Sequence, residues 1–298
     1  MFLITAANGN QGKLLMPKLA RAGVPVRALV RSEQSGDKLR AMGVEVLVGD
    51  MSETGVLDRA MEGVTSVYHI GPVLHPRERE IGFASIDAAR NAGVRHFVFS
   101  SVLHAIITDL VQHGIKRDVE EYLLASDLEF TILQPANYML PLKLQPVFRD
   151  GVFRLSWSLD RFQSMVDLDD VTDVVFDVLV NPERHYGATY ELVGRGRYDA
   201  RQLGGIISDV MGKPVPVEEI SGDEYLKAFI GDKDPANFTH EARVLRAISA
   251  RYSAHDFIGN PNVLTWLLGR EPTSFAQFVE RNYREFLVSA PALLTERA

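Results

Sequence analysis

The sequence predicts an α/β protein: a doubly wound parallel sheet followed by a second, smaller and mostly helical C-terminal lobe. Three observations predict it. An apolar run, Phe2 to Ala6, leads straight into a glycine-bearing turn and then an amphipathic stretch. Gly-Val pairs recur at 23–24, 43–44, 63–64 and 93–94, each after an amphipathic stretch and before a β-branched run. The rhythm stops after about residue 140. Glycine just past a helix end can take the left-handed conformation that satisfies the last carbonyls, and the valine after it opens the next strand.

Strands are therefore expected over 2–6, 24–30, 44–48, 64–70, 95–101 and 130–134, with the first helix over 11–21. These runs are mostly apolar rather than alternating, which fits parallel strands covered on both faces. In such a sheet ligands sit at the carboxyl ends of the strands. Farther on, 166–173 reads as a strand end and a capped helix running to Leu179, and 188–193 as a strand returning to the main sheet. From Tyr198 the chain reads as helical, broken at 212–214, 231–235 and 259–261 by Gly-Pro clusters. The expected domains are 1–150, binding a nucleotide, and 151–298, forming the wall of a substrate cleft.

Composition narrows the function. The 298 residues are 46% hydrophobic and carry a net charge of -7, which argues against broad phosphate-backbone binding, and no direct nucleic-acid partner is expected. There is no cysteine, which removes thiolate metal sites and Cys nucleophiles. Eight histidines form no His-x-x-x-His or His-Glu-x-x-His pair, so no metal site is expected. A Gly-x-Ser-x-Gly elbow is missing, and Gly12-Lys13 is followed by Leu14 rather than the hydroxyl residue of a P-loop. No basic leader segment or membrane-length apolar run is evident, and the chain reads as cytoplasmic.

The turn Thr5-Ala6-Ala7-Asn8-Gly9-Asn10-Gln11-Gly12 carries the most information. A strand, a tight turn and a helix bring backbone N–H groups and a positive helix end to one point, where a dinucleotide pyrophosphate can sit. A spaced Gly-x-x-Gly-x-x-Gly turn would have glycine where Ala6 stands. At the end of the second strand, Val30-Arg31-Ser32 offers an arginine and no carboxylate before Glu33, which favours NADP over NAD. A solvated surface arginine is the plain alternative. Asp50, beside Met51, either accepts the adenine amino group or caps a helix. Gly71 and Pro72 follow the fourth strand and would flank the middle of the cofactor.

With Gly49-Asp50, Phe99-Ser100-Ser101, Lys116 with Glu120-Glu121-Tyr122-Leu123, and Phe130 to Pro135, the chain resembles the NmrA-like branch of the atypical short-chain dehydrogenases. That branch has a Rossmann fold and includes isoflavone reductase-like enzymes, quinone reductases and redox-sensing regulators. The resemblance implies dinucleotide contacts at Thr5, Asn8, Gly9, Asn10, Gln11, Gly12, Arg31, Asp50, Met51, Gly71, Pro72, Ser100 and Lys116. It places Pro135 and Asn137 beside the nicotinamide. Ordinary relatives use a tyrosine four residues before a lysine as proton shuttle. Here Gln112 precedes Lys116 at that spacing, and no tyrosine lies between Ser101 and Lys116. By resemblance, Lys116 holds the nicotinamide ribose and serves as general base; its plain alternative is a surface lysine paired with Glu120 at i,i+4. His113, three residues earlier, is a candidate proton donor.

The primary expectation is an NADP-dependent oxidoreductase passing hydride to a small organic acceptor such as a quinone or enone. Phe83, Tyr138, Met139, Phe153 and Trp157 are candidate pocket residues, although aromatic residues in such segments are more often core. The alternative is a non-catalytic NADP(H) sensor that acts through a regulatory protein partner, and a homodimer is the other partner considered.

Overall fold

The computed structural model describes residues 1–295 and divides into two compact units, Met1–Pro135 with Leu168–Leu192, and Ala136–Asp167 with Val193–Ala298. The units are discontinuous. Where the sequence suggested one cut at 150, the chain passes from unit to unit after Pro135, after Asp167 and after Leu192.

The elements run β1 (Phe2–Ile4), α1 (Asn10–Arg21), β2 (Val26–Val30), α2 (Glu33–Arg40), β3 (Glu45–Val48), α3 (Val56–Met61), β4 (Ser66–Ile70), α4 (Glu78–Asn91), β5 (His96–Ser100), α5 (Val111–Leu124) and β6 (Glu129–Pro135). Next come β7 (Asn137–Met139), α6 (Pro141–Asp150), β8 (Phe153–Leu155), β9 (Met165–Asp167), α7 (Leu168–Val180) and β10 (Ala188–Leu192). The remainder is α8 (Ala200–Met211), β11 (Val217–Glu219), α9 (Gly222–Ile230), α10 (Thr239–Ala254), α11 (Asn262–Leu268) and α12 (Phe275–Thr295).

In the first unit seven strands form one sheet in the order β10-β6-β5-β4-β1-β2-β3, and every neighbouring pair is parallel. This is a Rossmann-like doubly wound sheet whose strand order reverses between β1 and β4. Gly23, Gly43, Gly63 and Gly93 all lie at φ between 67° and 78°, so each closes a helix in the left-handed conformation that its Gly-Val pair foretold. On one face Phe97, Phe99, Ile86, Val119 and Leu123 share a core with Met61 and Val67. Phe83, weighed as pocket or core, packs against this core and stacks on Tyr122 at 4.5 Å. Lys18 of α1 joins α7 to the same unit, reaching the Asp169 carbonyl at 3.0 Å, Thr172 Oγ1 at 2.8 Å and the Asp173 carboxylate at 2.6 Å.

The second unit has its own core, in which Leu203 and Ile207 of α8 meet Phe275, Phe278 and Val279 of α12. Met139 and Phe153, weighed as pocket or core, are buried in this core. Asp199 and Ser221 start α8 and α9 with reciprocal capping boxes to Gln202 and Glu224. Gly212 and Gly231 end those helices, as the Gly-Pro breaks indicated. No helix among the described residues is long and apolar enough to cross a membrane.

Two histidines are buried in the sheet of the first unit. Burial, reinforced by the Lys116 charge, drops the His69 pKa to about 3, and burial with the nearby His185 drops that of His96 to about 4. Unfolded histidine titrates near 6.5. Below that pH the unfolded chain therefore binds more protons than the native one, and each site withdraws about 1.4 kcal/mol of stability per pH unit as the pH falls toward its folded value. Urea midpoints measured at about pH 7.5 and about pH 5 should drop with acidification, and His69→Phe should make that drop shallower.

Candidate functional site

The carboxyl ends of β1, β2, β4 and β5 in the first unit gather the residues that the sequence singled out. Thr5 ends β1 with its hydroxyl consumed by the fold: it donates to the Ile70 carbonyl at 3.0 Å and accepts from the Ile70 N–H at 2.7 Å, pinning β1 to β4. The turn that follows bends sharply. Ala6 sits at φ 48°, in the region that favours glycine, and its carbonyl accepts the Gly9 N–H at 2.8 Å. Asn8 and Asn10 are exposed on the turn and on the first residue of α1. Gly12 is irreplaceable on steric grounds, since a Cβ there would lie 2.2 Å from the Ala7 carbonyl oxygen.

The first turn of α1 carries no acidic residue, and Gly9 caps it without a side-chain hydrogen bond. Its positive end is thus left uncompensated by the protein. Gln11 faces inward instead: its amide donates to Ser100 Oγ at 2.9 Å and its carbonyl oxygen accepts a short hydrogen bond from the Tyr68 hydroxyl. That side chain is committed to the fold, because the buried Tyr68 and Ser100 hydroxyls need a partner.

Arg31, just past β2, is exposed and makes no ion pair among the described residues; the nearby Glu33 is taken by Arg40 at 2.5 Å. Asp50 accepts the Ser52 N–H at 2.8 Å, and hydrogen bonds from the Ser52 side chain and backbone hold its carboxyl below the usual range. It closes a turn rather than capping a helix, since α3 starts later, at Val56 after Gly55. Met51 packs partly on the core.

Lys116 is the most constrained residue of the group. It pairs with Glu78 at 2.9 Å, the two side chains being 10% and 4% exposed. It also donates to the Ser100 carbonyl at 3.1 Å and lies 5.1 Å from the centre of the Phe99 ring. The pairing with Glu120 does not form. Glu120 instead accepts a short hydrogen bond from the Ser101 hydroxyl and one from Gln134 at 2.9 Å, while burial pushes its carboxyl up against the pull of those donors. A Cβ on Gly71 would lie 3.1 Å from both Glu78 Oε1 and Lys116 Nζ; Pro72 beside it accepts the His75 N–H at 3.0 Å.

His113 is buried on α5, within the same helix as Lys116, and its Nδ1 donates to the His104 carbonyl at 3.0 Å. Gln112 stands where a shuttle tyrosine would be; its Oε1 is buried without a hydrogen-bond partner, and an amide does not exchange a proton at neutral pH. Pro135 ends β6, its carbonyl accepting the Leu103 N–H at 2.9 Å. Asn137 belongs to the second unit, where it donates to Gln163 at 3.0 Å and accepts from the Tyr252 hydroxyl at 3.1 Å. In that unit Trp157 meets Tyr252 edge-on at 5.9 Å. No group of three or more metal-ligating side chains occurs among the described residues.

The sequence profile of the NmrA-like family matches residues 1–285. The chain belongs to the NmrA-like family. This NmrA-like chain is 26% identical over 290 residues to the NAD(P)H azoreductase of Xenophilus azovorans, a match covering 96% of this chain and 99% of that one. It is 30% identical over 240 residues to the (4-alkanoyl-5-oxo-2,5-dihydrofuran-3-yl)methyl phosphate reductase of Streptomyces griseus, covering 79% of this chain and 82% of that one. The Citrobacter sp. triphenylmethane reductase, solved with NADP(H), has the same fold: TM-score 0.81 at 23% identity, covering 95% of this chain and 100% of that one.

Sequence reasoning missed Glu78 in this NmrA-like protein. It lies in a run of charges, His75-Pro76-Arg77-Glu78-Arg79-Glu80, that reads as a solvated helix start. The available signal was positional: a helix after β4 must begin at the same sheet edge as the Lys116 helix. For the first turn, left-handed strain of about 1–2 kcal/mol at Ala6 is partly offset by the extra unfolded-state freedom of glycine. Ala6→Gly should therefore raise unfolding stability by up to about 1 kcal/mol in a denaturant titration, whereas Gly12→Ala should lower it by about 1–3 kcal/mol, in the range of overpacked cores.

Proposed function

We propose that this NmrA-like chain is an NADPH-dependent reductase that delivers hydride to a small organic acceptor: a quinone, an enone, or a conjugated dye of the kinds named for its relatives. The carrying observation is Lys116, a buried ammonium held at the sheet edge in the same unit as an uncompensated helix N-terminus and an unpaired arginine.

These residues fit NADP. The positive end of α1 and the close-packed turn at Gly9 and Gly12 suit a pyrophosphate, to which Asn8 and Asn10 lend exposed amides. Arg31 suits the 2′-phosphate because no carboxylate is paired with its guanidinium, Asp50 acting on it only through space. Asp50 and Met51 suit the adenine, where a carboxylate held ionised can accept the amino group. Gly71, Pro72 and the Ser100 edge suit the middle of the cofactor, Lys116 suits the nicotinamide ribose, and Pro135 suits the border of the ring. Thr5 and Gln11 would act through the backbone they fix, since their side chains are committed to the fold. Bound NADPH supplies the hydride; the protein orients the acceptor and excludes water.

Lys116 with Glu78 is better suited to holding a ribose hydroxyl than to removing a proton, and His113 is turned toward a backbone carbonyl. Reduction of a quinone or dye can draw its proton from solvent, so the replacement of the shuttle tyrosine by Gln112 is compatible with turnover.

Two measurements test this reading. NADPH oxidation should be seen with at least one member of a panel of quinones, enones and azo or triarylmethane dyes; tight stoichiometric NADPH binding with no turnover on any of them would favour a sensor. Arg31→Ala should weaken NADPH binding about tenfold or more, the worth of one charge-assisted contact, while leaving NADH affinity nearly unchanged. Equal losses for both nucleotides would remove Arg31 from the 2′-phosphate site.

A further inference from the structure

We infer that Glu78 is the positioning residue for Lys116 and that the two side chains work as one unit in the dinucleotide site. This rests on the reading above, in which Lys116 holds the nicotinamide ribose.

An ammonium on a four-carbon stem has many rotamers, and a site that must present it to one hydroxyl has to remove most of them. Three groups do so here. Glu78 Oε1 faces the ammonium as an ion pair at 2.9 Å, the Ser100 carbonyl accepts an N–H at 3.1 Å, and the Phe99 ring closes another side at 5.1 Å. An ammonium has three donors and the Ser100 carbonyl takes one of them as a hydrogen bond, so donor capacity remains for a ligand. Gly71 keeps that approach open: a side chain there would begin 3.1 Å from both charged atoms.

Glu78 is fitted to this task and not to another. It is the first residue of α4, where the helix dipole favours a carboxylate, and it is only 3% exposed. Its neighbour Arg79 turns away to Asp118 at 2.7 Å, and Glu80 is exposed. No second carboxylate can take its place, because Glu120, one turn beyond Lys116, is engaged by Ser101 and Gln134. His69, next to Phe99 in the sheet, stacks on that ring at 6.0 Å and stays neutral near pH 7, so it does not compete for the Glu78 carboxylate. Removing Glu78 would leave the Lys116 charge buried with only a carbonyl and a ring face, and the side chain would leave that position.

The test is a double-mutant cycle read by NADPH binding. Dissociation constants are measured by nucleotide fluorescence for the wild type, Glu78→Gln, Lys116→Met and the double variant, with thermal melting to confirm folding. Glu78→Gln should weaken NADPH about tenfold, Lys116→Met at least as much, and the double variant no more than Lys116→Met alone. With an acceptor that turns over, Glu78→Gln should lower kcat and leave the acceptor KM unchanged. Wild-type affinity in Glu78→Gln beside a weakened Lys116→Met overturns the inference alone, as do two losses that multiply. Wild-type affinity in Lys116→Met refutes the reading of Lys116 itself. If Glu78→Gln does not fold, Glu78→Asp, which keeps the charge but withdraws it by one methylene, replaces it in the same cycle, with a loss again expected only where Lys116 is present.

Discussion

Everything at the carboxyl edge of the first unit is referenced to one close approach, the seating of α1 on the end of β1. Gly12 lies so near the Ala7 carbonyl that no side chain could intervene. From that fixed point a relay of contacts crosses the sheet. Gln11, next to Gly12, reaches Tyr68 on β4 and Ser100 on β5; the Ser100 carbonyl holds Lys116 on α5; Lys116 holds Glu78 on α4. Because each link is buried, a shift of the first helix would be felt at the ammonium. Turn and lysine, far apart in sequence, are mechanically one object.

The site also separates its charges by purpose. Inside, the Lys116 ammonium is balanced by Glu78 within the protein, so the buried part of the site is close to neutral. Outside, Arg31 makes no ion pair among the described residues, with Asp50 acting on it only through space, and the first turn of α1 carries no acidic residue. A polyanionic ligand therefore meets attraction where it is solvated and geometry where it is not. This division explains how a chain with net charge -7 can still present a local anion site.

Much of the fold was legible because its determinants are local. The four Gly-Val pairs mark helix ends and strand starts through backbone preferences that need no tertiary partner, and the strands appeared within a residue or two of their expected bounds. The Gly9–Gly12 turn was legible for the same reason. Side-chain destinations were not. Gln11 was assigned to the ligand through its place in the turn, yet its side chain answers to two hydroxyls on other strands. Glu120 has ideal helical spacing for Lys116 but is drawn off by Ser101, while the true partner comes from another helix. Phe83, Met139 and Phe153 are aromatic or soft side chains in the right segments, and only the packing of each unit decides that they are core.

The threading of the chain has a consequence for how this protein is made. The edge strand β10 pairs with β6 along its whole length, yet it is translated only after the first segment of the second unit has emerged. Until Leu192 is available, β6 presents an open row of backbone donors and acceptors, the kind of edge on which chains pair wrongly with one another. A fragment ending near 150 would keep that edge permanently. The protein is thus a poor candidate for dissection into halves, and its sheet is sealed by a strand that arrives late.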